Sequence, residues 1–185
     1  FWAKRFGNWR VYGVNSTTDV SPNSFQYSML EKELRENPNN RCSLLFYHDP
    51  LFNSGEVHRG EDTRMRDIFR LFYNYYGDII INGDEHMYER FGLQDADGRS
   101  APNRGIRQFI VGTGGAILYV RRYPHQEPNS EKIIEDTHGV LALTLGNGAY
   151  SWQFIPVEGK SASDSNRDDC VSAQQNPFII LIQTK

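Results

Sequence analysis

Two stretches decide the fold class: Cys42-Ser43-Leu44-Leu45-Phe46-Tyr47-His48-Asp49-Pro50 and Asp78-Ile79-Ile80-Ile81-Asn82-Gly83-Asp84-Glu85-His86. Each is a short, uninterrupted apolar run that empties into histidine and carboxylate residues. Such a run marks a strand covered on both faces, as in a parallel sheet. Between them, Met65, Ile68, Phe69, Phe72 and Tyr76 recur at helical spacing and stop at Gly77, which predicts an amphipathic helix. Upstream, Arg10 to Val14 alternates like a strand. Tyr27, Leu30 and Leu34, with Glu31-Lys32-Glu33 opposite, predict a helix that stops at Asn37-Pro38. The order strand, helix, strand, helix, strand is that of an α/β fold, in which the site forms where strands end.

Downstream the texture changes. Arg107 to Val111, Gly139 to Leu145 and Ala149 to Val157 read as strands, with Gly146-Asn147-Gly148 as a hairpin turn. An antiparallel region is expected there. Beyond Val157, Ser, Asp, Asn and Lys dominate, so residues 158–176, with Cys170, read as a polar loop or linker. Residues 177–185 follow as an apolar tail strand, suited to adding onto the sheet edge of a neighbouring subunit.

The 185 residues carry 20 Lys and Arg against 23 Asp and Glu, a net charge of −3. This balance, without a basic run, gives no phosphate-backbone footprint, so nucleic acid is not an expected partner. No apolar stretch approaches the ~20 residues of a membrane-spanning helix, and no membrane partner is expected. The sequence begins at Phe1 without a signal-like segment, and upstream material is expected to be missing. Cys42 and Cys170 are too far apart for a Cys-x-x-Cys or zinc-ribbon motif. A long-range disulfide and two unrelated buried thiols are both open. Asn15-Ser16-Thr17 is a glycosylation sequon. Together with an even cysteine count it favours an oxidising, secreted or extracellular setting.

His48-Asp49 and Asp84-x-His86 offer imidazole nitrogen and carboxylate oxygen at two strand ends, a donor set for zinc, manganese or iron. Gly112-Thr113-Gly114-Gly115 could cradle a phosphate, but no Lys or helix follows, and a tight turn is the better reading. His125 and His138 lie in polar or turn-like segments and are expected to be structural.

Three blocks stand in order: Phe46-Tyr47-His48-Asp49-Pro50-Leu51-Phe52-Asn53-Ser54-Gly55, Asn82-Gly83-Asp84-Glu85-His86-Met87-Tyr88-Glu89-Arg90-Phe91 and Gly105 to Gly115. Their combination resembles the calcineurin-like metallophosphoesterases, in the branch of the purple acid phosphatases. The match continues through Gly139-Val140-Leu141 and Tyr150 to Val157. The resemblance implies half of a four-layer α/β/β/α sandwich, a mixed sheet followed by antiparallel strands, with residues 1–157 as the carboxy-terminal half of the domain.

In that family two divalent or trivalent ions activate a hydroxide that attacks the phosphorus of a small phosphate ester. The resemblance implies that His48 ligates the second metal and His86 the first, with Asp84 at the remaining ligand position. His58 matches a histidine near the leaving oxygen, a general acid. Glu89 and Arg90 are expected to brace the metal loop through a charge-assisted pair. Two departures stand out. Asp84 occupies the first histidine of the family's Gly-His-x-His motif, so a catalytically silent binding, structural or assembly module is the alternative. The motifs Gly-Asp-x-x-Tyr and Gly-Asn-His occur nowhere, and Asp84-Glu85-His86, which also spells the family's opening Asp-x-His, reads as the closing motif because Tyr88-Glu89-Arg90 follows, so the remaining ligands are expected from an amino-terminal half or a neighbouring subunit. A Cys42–Cys170 disulfide is expected as well.

Overall fold

The computed structural model describes residues 1–37, 42–57, 63–122 and 125–171. His58 and the apolar segment 177–185 lie outside the described residues. Among the described residues there are ten strands: β1 (Trp2–Phe6), β2 (Trp9–Gly13), β3 (Cys42–Phe46), β4 (Ile79–Asn82), β5 (Tyr88–Phe91), β6 (Arg107–Val111), β7 (Ser130–Ile134), β8 (Gly139–Leu145), β9 (Ala149–Pro156) and β10 (Ser165–Asp169). The α-helices α1 (Phe25–Glu36) and α2 (Arg66–Asn74) accompany them. The hydroxyl of Ser24 caps α1 by accepting from the backbone N–H of Tyr27.

Seven strands form a mixed sheet in the order β1-β2-β3-β4-β6-β5-β7, and β10-β9-β8 form an antiparallel one. Strands β2, β3, β4 and β6 run parallel. On one face Leu45, Ile80 and Ile110 pack with Leu30 and Leu34 of α1 and Ile68, Phe69 and Phe72 of α2. On the other, Leu44, Ile79, Tyr88 and Phe109 meet Tyr150, Trp152 and Phe154 of the small sheet. These are the α, β and β layers of the expected sandwich. Among the described residues no helix is long and apolar enough to cross a membrane.

The structure departs from the sequence reading in two places. The sequence pattern places Arg107–Val111 in the antiparallel region, but β6 joins the mixed sheet, parallel to β4 and antiparallel to β5. Its side chains alternate between two buried faces, so the period of two that it shows does not separate the two environments. The composition of residues 158–176 predicts a polar loop or linker, yet Ser165–Asp169 pair with Ala149–Gln153 as β10. Its polar composition suits a strand at the sheet edge, largely in contact with water.

Cys42 and Cys170 form the expected disulfide, with Cα atoms 5.5 Å apart. Beside it, buried Asp78 accepts from the backbone N–H of Ser43 (2.7 Å) and of Val171 (2.6 Å). The disulfide and this carboxylate fasten the end of the described chain to the start of β3. Opening a 128-residue separation with reductant, or by paired Cys→Ser substitution, should destabilise the fold by up to about 4–5 kcal/mol on the chain-entropy model. Thermal unfolding with and without reductant measures this, and an unchanged midpoint would refute it.

Burial pushes the Asp78 carboxyl up to about 8, against the N–H donors of Ser43 and Val171. In the unfolded chain the same group loses its proton near about pH 4. Between those values the folded state binds the extra proton, so stability falls as pH rises, by at most roughly 1.4 kcal/mol per unit. Denaturation midpoints between pH 5 and 8 should show this slope, and Asp78→Asn should flatten it.

Candidate metal centre

The four parallel strands end on one edge of the large sheet, and the ladder continues a residue further. Val14 N–H donates to Phe46 O (3.1 Å), Tyr47 N–H to Ile81 O (3.2 Å) and Gly83 N–H to His48 O (3.1 Å). The residues after β3 and β4 are therefore held level. His48 Nε2 lies 3.4 Å from Asp84 Oδ1. Asp49 joins them, so that ligand atoms of His48, Asp49 and Asp84 all fall within 4.8 Å of one another. Two ligands held about 2.1 Å from one tetrahedral ion are separated by about 3.4 Å, so the His48 and Asp84 atoms fit a shared cation. A second observation agrees: Asp49 Oδ2 is buried and has no hydrogen-bond partner.

Asp84 has a φ of 65°, a left-handed conformation that Asp tolerates better than most residues. It is the centre of a three-residue turn closed by Glu85 N–H donating to Gly83 O (2.9 Å), and Met87 N–H to Glu85 O (2.8 Å) follows. Strain of this kind concentrates at functional sites. Gly112 makes the turn possible, because a Cβ there would stand 2.0 Å from Glu85 O.

His86 leaves the turn two residues later and is not part of the close trio. Its Nδ1 lies 2.8 Å from Ile117 O, and its ring stacks on Tyr119 with centroids 4.1 Å apart and planes 14° from parallel. A carbonyl oxygen only accepts, so Nδ1 carries a proton, and in the neutral ring Nε2 keeps the lone pair. Metal-ligating histidines are held in this way, with the outward nitrogen free for an ion.

Sequence reasoning missed the means of support. Beneath the site a chain of buried amides runs from Gln94 Nε2 to Gln108 Oε1 (3.2 Å), from Gln108 Nε2 to Asn82 Oδ1 (3.1 Å) and Phe52 O (2.9 Å), and from Asn82 Nδ2 to Tyr47 O (3.0 Å). The signal available was the presence of Gln and Asn inside apolar runs.

Glu89 and Arg90 do not pair with each other. As neighbours on β5 they face opposite sides of the sheet. Glu89 accepts from the N–H of Ser54 (2.9 Å) and from its hydroxyl, and Ser54 Oγ in turn accepts from Glu127 N–H (2.9 Å). Burial raises the Glu89 carboxyl, while the bonds from Ser54 oppose the rise. Glu89 thus braces the loop after β3. Arg90 lies between the sheets, bonded to Asp164 (2.8 Å) and Glu131 and stacked on Trp152.

The glycine segment after β6 bends at residues 114–116, and Thr113 Oγ1 donates to Gly139 O (2.8 Å), tying the segment to β8. His138 bonds Ala116 O and His125 pairs with Glu127.

No model of a known protein family matches the chain. "Probable purple acid phosphatase 20" of Arabidopsis thaliana is 28% identical over 161 residues, 80% of this chain and 37% of that protein. Purple acid phosphatase 22 of the same plant is 32% identical over 105 residues, 55% of this chain and 24% of the relative. The homologues are purple acid phosphatases. The structure of purple acid phosphatase PPD1 from yellow lupin seeds superposes with a TM-score of 0.79 at 21% identity, covering 91% of this chain and 32% of that one. GAP50, described as the anchor in the inner membrane complex of Plasmodium, shares the fold with a TM-score of 0.67 at 13% identity, covering 91% and 53%. The chain fits a calcineurin-like, purple-acid-phosphatase-like carboxy-terminal region and spans about a third of the length of its curated relatives.

Gly112→Ala tests how the Asp84 turn is supported. The added methyl must displace the Glu85 backbone, and overpacking of this kind costs about 1–3 kcal/mol. Urea denaturation should show the loss, whereas Gly114→Ala, with open space around its Cβ, should cost less.

Proposed function

We propose that this chain supplies the later ligands of a two-metal phosphoesterase centre that hydrolyses small phosphate monoesters to phosphate and an alcohol. The observation that carries the reading is the meeting of His48 Nε2 and Asp84 Oδ1, 3.4 Å apart at adjacent strand ends, in a chain whose homologues are purple acid phosphatases. Two ions of iron, zinc or manganese would supply Lewis-acid charge and a hydroxide at neutral pH.

His48 and Asp84 would hold one ion and His86, through Nε2, the other. Tyr119 and Ile117 O fix the His86 ring, and Glu89 fixes the loop that leads toward His58. His58 would pass its proton to the leaving ester oxygen as the bond to phosphorus breaks. The remaining ligands would come from an amino-terminal half of the domain or from a neighbouring subunit, since Gly-Asp-x-x-Tyr and Gly-Asn-His are absent from these 185 residues.

An extracellular setting is part of the proposal. It is supported by the Cys42–Cys170 disulfide and by exposed Asn15, whose Oδ1 accepts from Thr17 N–H (3.0 Å) and Oγ1 (2.8 Å) within the sequon.

A second reading rests on Asp84. A carboxylate in place of a neutral imidazole lowers the electrophilicity of a bound ion, which would suit a catalytically silent, binding or assembly module. Activity of the complete assembly decides between them. The chain with its complementary segment should release phosphate from 4-nitrophenyl phosphate in a metal-dependent way, and His48→Ala and His86→Ala should each abolish turnover. Stoichiometric metal without any hydrolysis would select the silent reading.

A further inference from the structure

We propose that Asp49 is itself a metal ligand, completing with His48 and Asp84 a site through which this chain alone holds a single cation of the Mn2+ or Zn2+ class. This goes beyond the ligand set that the resemblance implies, which is His48, Asp84 and His86. It rests on the metal-dependent reading for the class of ligand only.

Three features place Asp49 in the site. Its carboxylate reaches the His48 and Asp84 ligand atoms within 4.8 Å. Its Oδ2 is buried without a hydrogen-bond donor, and no ion pair reaches Asp49 among the described residues. A buried carboxylate oxygen left in this state is normally paired or coordinating. Its backbone is also pinned, because Asp49 N–H donates to the hydroxyl of buried Ser16 (3.1 Å). The loop that carries Ser16 is in turn held by Gln26 of α1. Gln26 Nε2 donates to Asn15 O (2.9 Å) and Thr18 Oγ1 (2.7 Å), and Gln26 Oε1 accepts from Asn15 N–H (2.8 Å).

The position of each donor is thus set inside this chain. Asp49 is held by the β2 loop, His48 by the end of β3 against Gly83, and Asp84 by its left-handed turn. One imidazole nitrogen with two carboxylate oxygens is a harder donor set than one richer in imidazole, and it shifts relative affinity toward Mn2+.

Calorimetric titration of the 185-residue chain with MnCl2, and separately with ZnCl2, tests this. One ion should bind per chain. Mutating groups one step removed from a metal already costs about 10–100-fold, so Asp49→Asn should weaken Mn2+ binding about tenfold or more. His125→Ala, an exposed histidine paired with Glu127, should leave binding unchanged. Asp84→His should raise Zn2+ affinity relative to Mn2+. Asp49→Ser provides a second variant, and circular dichroism checks that each retains the fold. Wild-type affinity in folded Asp49→Asn or Asp49→Ser, or no ion bound by the folded chain, would overturn the assignment. Ion binding that depends on Asp49 without phosphatase turnover in the full assembly would overturn the enzymatic reading and leave Asp49 in place.

Discussion

The covering of β3, β4 and β6 on both faces is the constraint on which everything else in this molecule depends. Leu45, Ile80 and Ile110 are buried against the helices, and Leu44, Ile79 and Phe109 against the small sheet. With both faces apolar, hydrophobic burial alone does not specify register, because a one-residue slip would exchange one apolar set for another. The polar groups at the ends of these strands do specify it. Asp78 accepts from Ser43 N–H, Asn82 donates to Tyr47 O, and Gln108 donates to Asn82. A slip would leave each of these buried groups unsatisfied, at a cost of about 1–3 kcal/mol apiece. The same register brings His48 level with Asp84, so the site is a consequence of how the sheet is aligned.

Between the sheets a second polar layer does similar work. Arg90 and Arg107 lie over the Trp152 ring, and their charges are met by Asp164, Asp168 and Glu131. Tyr88 OH and Trp152 Nε1 donate to the same Asp164 carboxylate. Burial works against the Asp164 charge, but the bonds from Arg90 and Tyr88 hold the carboxyl below its usual range. Buried ion pairs contribute little net stability against an apolar alternative. Their effect here is positional, since Asp164 and Asp168 lie at β10, and their pairing fixes the small sheet on the large one.

This layer explains which parts of the fold were legible in the sequence. The apolar runs of β3 and β4 and the helical spacing of α2 were readable because burial imposes a pattern on them. Strands β5, β7 and β10 were not. Tyr-Glu-Arg-Phe, Ser-Glu-Lys-Ile-Ile and Ser-Asn-Arg-Asp-Asp carry charges whose partners lie far away in sequence, as with Arg90 and Asp164. The site divides in the same way. His48, Asp84 and His86 could be named because each follows an apolar run. Tyr119, 33 positions beyond His86, has no such signal, and neither does Glu89, whose partner Ser54 is reached only after folding. Asp49 was visible as a neighbour of His48, but its unpaired oxygen is a property of the folded chain.

Asp84 matters most where charge is counted. A histidine at this position would donate a neutral nitrogen, whereas Asp84 donates an anion, and Asp49 brings a second one within 4.8 Å. Each added anionic ligand strengthens the hold on a divalent ion and reduces the positive charge left to acidify water or stabilise a phosphoryl transition state. Affinity and Lewis acidity are therefore set in opposition by one substitution at a residue with a φ of 65°. That backbone conformation is open to Asp and to His alike, so the turn does not dictate the choice. The identity of residue 84 is thus a choice of electrostatics within a fixed geometry, and the balance between binding an ion and using it is decided there.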